Sequence, residues 1–185
     1  ATDFEQTGDY LCTLDSAGNE CWRLSSAEAT QRLTSDAIVA GVSQRGACAV
    51  VGNIVSCSGD KHFWPGTNVN AYESGVANPI ALAANNNGMC IAGSDGVECQ
   101  FLKPLHPYWA PPESFINISE MVMGPGEVCV IDDGKVDCWG TNSRGFQTVP
   151  EFDNPRDLKI GYNHACVIDS GQLRCWGSIQ QTDDE

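Results

Sequence analysis

"CVIDDGKVDCWG" occupies residues 129–140, and "CVIDSGQLRCWG" follows at 166–177, thirty-seven residues later. Each encloses a turn pair, Asp133-Gly134 or Ser170-Gly171, between two cysteines nine positions apart, and each runs straight on into Trp-Gly. Such dipeptides supply the positive φ that a two-residue hairpin turn needs. Around Asp133-Gly134 the hairpin sets Asp132 opposite Lys135, Ile131 opposite Val136, Val130 opposite Asp137 and Cys129 opposite Cys138. Counting outward from a two-residue turn puts the cysteines at a non-hydrogen-bonded pair, where Cα atoms stand about 4.5 Å apart and a disulfide can close.

The spacing recurs along the whole chain. The cysteines are Cys12 and Cys21, Cys48 and Cys57, Cys90 and Cys99, Cys129 and Cys138, Cys166 and Cys175, ten in 185 residues with every pair nine apart. First members are separated by 36, 42, 39 and 37 residues, a period typical of solenoids and propeller blades. The same register sets Leu14 opposite Asn19, Val50 opposite Val55, Ala92 opposite Val97, Ile131 opposite Val136 and Ile168 opposite Leu173. All but Asn19 are apolar, which predicts a face buried beside each bridge. The opposite face carries Asp132, Lys135 and Asp137 in one copy and Asp169, Gln172 and Arg174 in another. Gly52-Asn53 suits the same tight turn, whereas Gly18 and Gly96 come one residue later and predict four-residue loops.

The register selects one pairing, each cysteine with its partner nine residues on. Closing a ten-residue loop stabilises by at most about 2.7 kcal/mol on the chain-entropy model, and no bridge ties distant repeats together. Zinc is the competing reading, but its ligand knuckles hold only about two to four residues between cysteines. No Cys-x-x-Cys occurs, which argues against redox catalysis. An even and abundant cysteine count points to an oxidising compartment, hence a secreted or cell-surface protein. The opening "ATDFEQ" reads as a processed, mature end, and Asn117-Ile118-Ser119 is a glycan acceptor for a eukaryotic secretory pathway.

Against 24 acidic side chains the chain sets 10 basic ones, a net charge of −14, with no cluster of lysine or arginine. That argues against nucleic acid and anionic membranes as partners. Every apolar stretch is broken well before the length of a membrane span, so no membrane insertion is expected.

Ahead of each hairpin lies another strand-like run: "DAIVAGV", "NPIALAA", "SEMVMGP" and "RDLKIGY", with "TDFEQTG" as a poorer first copy. Polar, Pro-rich connectors such as "TVPEFDNP" leave room for one more outer strand. Three or four short antiparallel strands per repeat describe a propeller blade. The expectation is an all-β, single-domain propeller over residues 1–185, with repeats at approximately 1–35, 36–76, 77–116, 117–154 and 155–185. "SSAEATQRL" reads either as a helix start capped by Ser25 and Glu28 or as a diverged outer strand.

"YNHACVIDSGQLRCWG" and "GPGEVCVIDDGKVDCWGTNSRGFQTVP" resemble the repeat of the RCC1-like β-propellers, the regulator-of-chromosome-condensation superfamily, in its cysteine-bearing extracellular form. The resemblance is carried by Cys-Trp-Gly and the later Asn-x-x-Gly; residues 1–110 keep the cysteines and turns but mostly lose Trp-Gly. It implies protein recognition by loops on one face of a propeller, and a packing role for His164. The hairpin is one residue shorter than is usual in the family, and five copies are fewer than the family usually carries. Five blades or an incomplete ring are therefore expected. The fifth repeat stops where its outer strand would begin, which predicts an open edge able to accept a strand from a partner or a second copy.

No catalytic constellation stands out. Asp132, Asp133, Asp169 and the closing "TDDE" read as solvated surface. His62, His106 and His164 fall in different repeats without ligand spacing, and no loop carries the alternating ligands of a calcium motif, so neither metal nor cofactor is expected. Trp22, Trp139 and Trp176 share one repeated position and are assigned to packing between blades. Phe63, Trp64, Tyr72, Tyr108 and Trp109 lie in the two longest connectors, outside the repeat, where aromatics can anchor a protein or sugar partner. The competing reading has them plug the sides of neighbouring blades. The sequence thus predicts a non-enzymatic extracellular recognition module. Its alternatives are a self-assembling fibre or surface-layer subunit joined at the open edge, and a propeller lectin.

Overall fold

In the computed structural model of the chain, strands within residues 3–59 are described as backbone, with side chains from Cys48 to Cys57. Beyond them the description covers residues 71–85 (71 and 72 as backbone), 88–94, 96–101, 110–112, 114, 115, 117–141, 146 and 148–178. The described residues form five antiparallel sheets in chain order. The first holds β1 (Asp3–Thr7), β2 (Tyr10–Asp15), β3 (Gly18–Arg23) and β4 (Glu28–Leu33). The second holds β5 (Ala37–Val42), β6 (Gly46–Val51), β7 (Ile54–Gly59) and β8 (Ala71–Glu73). Three strands each make up the rest: β9 (Ala81–Asn85), β10 (Gly88–Gly93) and β11 (Gly96–Phe101); β12 (Ile118–Met123), β13 (Glu127–Asp132) and β14 (Lys135–Gly140); β15 (Pro155–Ile160), β16 (His164–Asp169) and β17 (Gln172–Gly177).

The nine-residue spacing sets the register everywhere. Cysteine stands opposite cysteine in all five hairpins. Four disulfides close among the described residues, with Cα atoms 4.0 to 4.2 Å apart; the side chains of Cys12 and Cys21 lie outside them. Asp133 and Gly134, and likewise Ser170 and Gly171, all take positive φ, as the tight turn requires.

One expectation is corrected and one alternative is decided. Gly18 pairs with Asp15 and Gly96 with Gly93, so those two copies also turn in two residues rather than four. In both copies the ladder runs one pair further than expected, within the same cysteine register. "SSAEATQRL" contributes β4, a strand on the outer edge of β3, and not a capped helix; a strand there satisfies the β3 edge, which a short helix would leave open. Among the described residues the third, fourth and fifth sheets each hold three strands.

Inner strands of successive sheets pack side by side, β1 on β5, β5 on β9, β9 on β12 and β12 on β15. The third and fourth blades are thereby sandwiched, with apolar residues packed on both faces of each hairpin. Val128, Val130 and Trp139 face back to Ala81, Ala83, Cys90 and Ala92. Cys129, Ile131 and Cys138 face forward to Leu158, Ala165, Val167 and Trp176. Of the polar residues expected on the opposite face, Lys135 and Asp137 are exposed and Asp132 is half-buried. Among the described residues β15 is not packed on β1 as successive inner strands pack on each other. The propeller is an open arc.

Burial sets the order in which the bridges yield. Cys48, Cys90 and Cys129 are fully buried, whereas Cys175 is exposed. Attack by a thiolate needs access to sulfur. Limited treatment with a thiol reductant followed by alkylation and peptide mass mapping is therefore expected to label Cys166 and Cys175 before Cys90 or Cys129. Simultaneous labelling of these pairs would contradict it.

Candidate protein-recognition surface

Antiparallel pairing brings the start of each inner strand beside the hairpin turn of the same blade, Ile118 opposite Asp132 and Pro155 opposite Asp169. The same latch ties them in two blades. The Asn117 N–H donates to Asp132 Oδ1 at 2.6 Å and the Asp133 N–H donates back to the Asn117 carbonyl at 3.0 Å. In the next blade the Asp153 and Asn154 N–H groups donate to Asp169 Oδ1 at 3.0 and 2.9 Å, and the Ser170 N–H donates to the Asn154 carbonyl. In the third blade Ser94 fills the role, its N–H donating to the Ala77 carbonyl at 2.8 Å. Hairpin turn and connector thus form one rigid end of each blade.

Asp169 was expected on the solvated surface, but it is buried, 5% exposed, because the connector folds over it. The Asn154 N–H is the largest influence on its carboxyl and lowers its pKa; burial opposes this, and the Arg174 guanidinium, 3.0 Å away, and the Asp153 N–H lower it further. The net direction is down from the ordinary 3.8. A depressed carboxyl stabilises the fold fully above its ordinary value, and that stability is lost as pH falls through the lowered one. Asp169→Asn is expected to flatten the acid limb of a stability-against-pH curve measured by denaturant unfolding. An acid limb of unchanged slope would contradict the latch.

Two further carboxylates act between elements. Glu120 on β12 accepts from the Asp157 and Leu158 N–H groups at 2.8 and 2.7 Å, capping the bulge of β15 in the following blade. Glu127, fully buried, accepts from the Gly126 N–H at 3.2 Å and from Thr141 Oγ1 at 3.1 Å. Both serve backbone geometry. Trp139 and Trp176 are packed between blades as expected, 5% exposed each, against Phe115 and Phe152. Trp176 Nε1 donates to the Phe146 carbonyl at 3.1 Å, and Phe146 is fully buried. His164, assigned a packing role, lays its ring over Gly161, whose missing side chain leaves room for it, and is otherwise exposed.

Of the residues assigned to partner contact, Phe63, Trp64, Tyr108 and Trp109 lie outside the described residues, as do His62, His106, the closing "TDDE" and the side chain of Trp22. Tyr72 is placed as backbone in β8, opposite Val55. Asn117 is exposed at the latch. Sequence reasoning missed Asn154, Glu120, Glu127 and Phe146. The thirty-seven-residue register could have signalled the first of these, because it aligns Asn154 with Asn117.

No family model and no curated protein matches the chain. Solved structures do. The CRINKLY WD40 ectodomain of the Arabidopsis thaliana receptor kinase ACR4 superposes with a TM-score of 0.68 at 21% identity, over 95% of this chain and 64% of that one. The ectodomain of the Physcomitrella patens receptor kinase CR4 gives 0.67 at 18%, over 95% and 52%. Prp20p of Saccharomyces cerevisiae, the yeast RCC1, gives 0.66 at 12%, over 95% and 56%. At these identities the likeness establishes the fold alone, that of a β-propeller. The chain spans between half and two-thirds of the length of these three proteins.

Proposed function

We propose that the chain is a non-enzymatic recognition module, working outside the cell or at its surface, that binds a protein partner through the connectors interrupting its repeat. One observation carries the reading. Three of the polar side chains at the turn end of the repeats are engaged internally, Asp132 and Asp169 by connector N–H groups and Arg174 by Asp169 and the Glu151 carbonyl. The repeating parts therefore build a scaffold, and distinctive recognition chemistry falls to the non-repeating stretches with Phe63, Trp64, Tyr72, Tyr108 and Trp109. Trp109 stands twenty residues before Cys129, as the buried Phe146 stands twenty before Cys166, so the register favours packing for it and leaves the other four as anchors.

Four bridges support an oxidising compartment. Similarity to two receptor ectodomains supports the same setting, and Prp20p, described by its binding to Gsp1p and histones, supports protein binding on this fold. The test is affinity capture from the native extracellular fluid or cell surface under non-reducing conditions. The bait would be the full chain and a Phe63→Ala/Trp64→Ala variant with an unchanged melting curve. A specific partner retained by the first and lost by the second is expected; capture unaffected by the substitution would exclude these anchors, and no partner at all would overturn the reading.

Asn117 is proposed as a glycosylation site. Its latch runs through the backbone, so a glycan on the exposed side chain leaves the turn intact. Secretion from a eukaryotic host is expected to give a mass increment that peptide N-glycosidase removes and Asn117→Gln abolishes.

A further inference from the structure

The two ends of the blades differ in chemistry. At the hairpin-turn end the exposed side chains include the acids Glu73, Asp133 and Asp153 beside Lys135, while Arg156 and Arg174 are paired with Asp157 and Asp169. The opposite end is formed by the short loops that lead from each inner strand into its hairpin. Contacts between blades set these loops in a row. Asn85 Nδ2 donates to the Gly124 carbonyl at 2.6 Å, which joins the third blade to the fourth. Gly124 lies against Ile160, close enough that an added Cβ would stand 2.9 Å from its Cδ1, which joins the fourth to the fifth. Within each of the last two blades the residue after the hairpin is tied to the same loop: the Thr141 N–H donates to the Gly126 carbonyl at 3.0 Å and the Ser178 N–H to the Asn163 carbonyl at 2.8 Å.

The tips of these loops are exposed and uncharged. Pro125 and Tyr162 hold the same place in the thirty-seven-residue register, and both are exposed, Tyr162 by 64%. Pro125 belongs to a blade packed on both sides, so the exposure goes with the position in the repeat. The carboxylate at this end, Glu127, is fully buried, and among the described residues no exposed acid stands there. In a chain of net charge −14 that leaves an end where electrostatic repulsion is least. Both long connectors set out from it: β7 ends at Gly59 beside Gly46, and β11 ends at Phe101 beside Gly88. We propose that this inner-loop end, centred on Tyr162 and Pro125, is the face that meets the partner protein, and that it takes an apolar, uncharged patch of that protein. The proposal rests on the reading of the chain as a protein-recognition module and says which face does the binding. Interface cores are depleted in charge, and exposed tyrosine is among the side chains that most often dominate them. The acids and Asn117 lie at the other end, so a glycan on Asn117 would stand clear of the contact.

The test takes the partner captured by the full chain, purified, and measures its affinity by calorimetry for the wild type, Tyr162→Ala, Pro125→Lys and the turn-end pair Glu73→Lys/Asp153→Lys. All the replaced side chains are exposed, and unchanged melting curves check the fold. The first two variants are expected to bind at least about tenfold more weakly, and the turn-end pair like the wild type. Because the contact is uncharged, the wild-type affinity should change by less than about threefold between about 0.05 and 0.5 M salt. A steep salt dependence, or weakening in the turn-end pair, puts the partner on the acidic end and overturns the proposal. Undiminished binding by Tyr162→Ala and Pro125→Lys overturns it too; if Phe63→Ala/Trp64→Ala still loses the partner, the connector reading survives alone. If the wild type captures no partner, both fall.

Discussion

Gly140→Ala is expected to destabilise the protein by about 3 kcal/mol or more, a large effect for the addition of one methyl group. Gly140 closes β14 opposite Glu127 with φ at +126°, a backbone conformation that favours glycine. A Cβ there would overlap the carbonyl oxygen of Gly126 and stand 2.9 Å from the Cα of Glu127. Both obstacles are backbone, so no side chain can swing aside. The Gly126 carbonyl is also the acceptor for the Thr141 N–H at 3.0 Å, and the buried Glu127 carboxylate depends on Gly126 and Thr141 for its hydrogen bonds. Displacing this corner would leave a buried charge poorly solvated. Gly177 holds the equivalent place, with φ at +100° and an added Cβ 2.6 Å from the Asn163 carbonyl oxygen. There the counterpart of Glu127 is the exposed His164, so Gly177→Ala should cost less. Urea unfolding of the two variants measures the difference. Equal costs, or a near-neutral Gly140→Ala, would sink the account of why glycine follows the tryptophan.

That corner also shows which parts of the structure were legible in the sequence. A hairpin register is local: once two cysteines nine apart must meet, every cross-strand pair from Asp132 opposite Lys135 to Cys129 opposite Cys138 follows, and the structure has them all. The inner strands were legible for the same reason, as short runs dense in β-branched and small apolar residues. The misreadings have a common cause in contacts that the local pattern does not carry. Asp169 looks like a solvated turn acid until residues 153 and 154 fold over it from 15 or 16 positions away. "SSAEATQRL" left helix and strand open, and the edge of β3 decides for the strand. Of the aromatics assigned to partner contact, Phe63, Trp64 and Tyr108 fall in stretches that do not repeat, so no register constrains them. The same regularity that discloses the scaffold is silent on the binding site.

Phe146→Ala should cost about 3–5 kcal/mol, the range for removing a fully buried aromatic from a core. Phe146 lies in a connector, yet none of its surface is exposed, and it belongs to the cluster joining the fourth blade to the fifth with Cys129, Leu158, Val167 and Trp176. Its carbonyl also anchors the indole of Trp176. Trp176→Phe keeps most of the packing but leaves that buried carbonyl without its donor, so the expected loss is roughly 1–3 kcal/mol. Trp139 gives the contrast. It sits at the same repeat position and is equally buried, but among the described residues its Nε1 has no hydrogen-bond acceptor. Trp139→Phe removes a donor that has no acceptor among the described residues, and on that ground should cost less than Trp176→Phe. Thermal or urea unfolding of the three variants decides the point. If the two tryptophan substitutions prove equivalent, the tie to the Phe146 carbonyl contributes nothing, and the tryptophan of the repeat acts through bulk alone. If Trp176 is the costlier, the connector is held by a specific hydrogen bond as well as by burial, and each blade depends on the chain segment that leads into it.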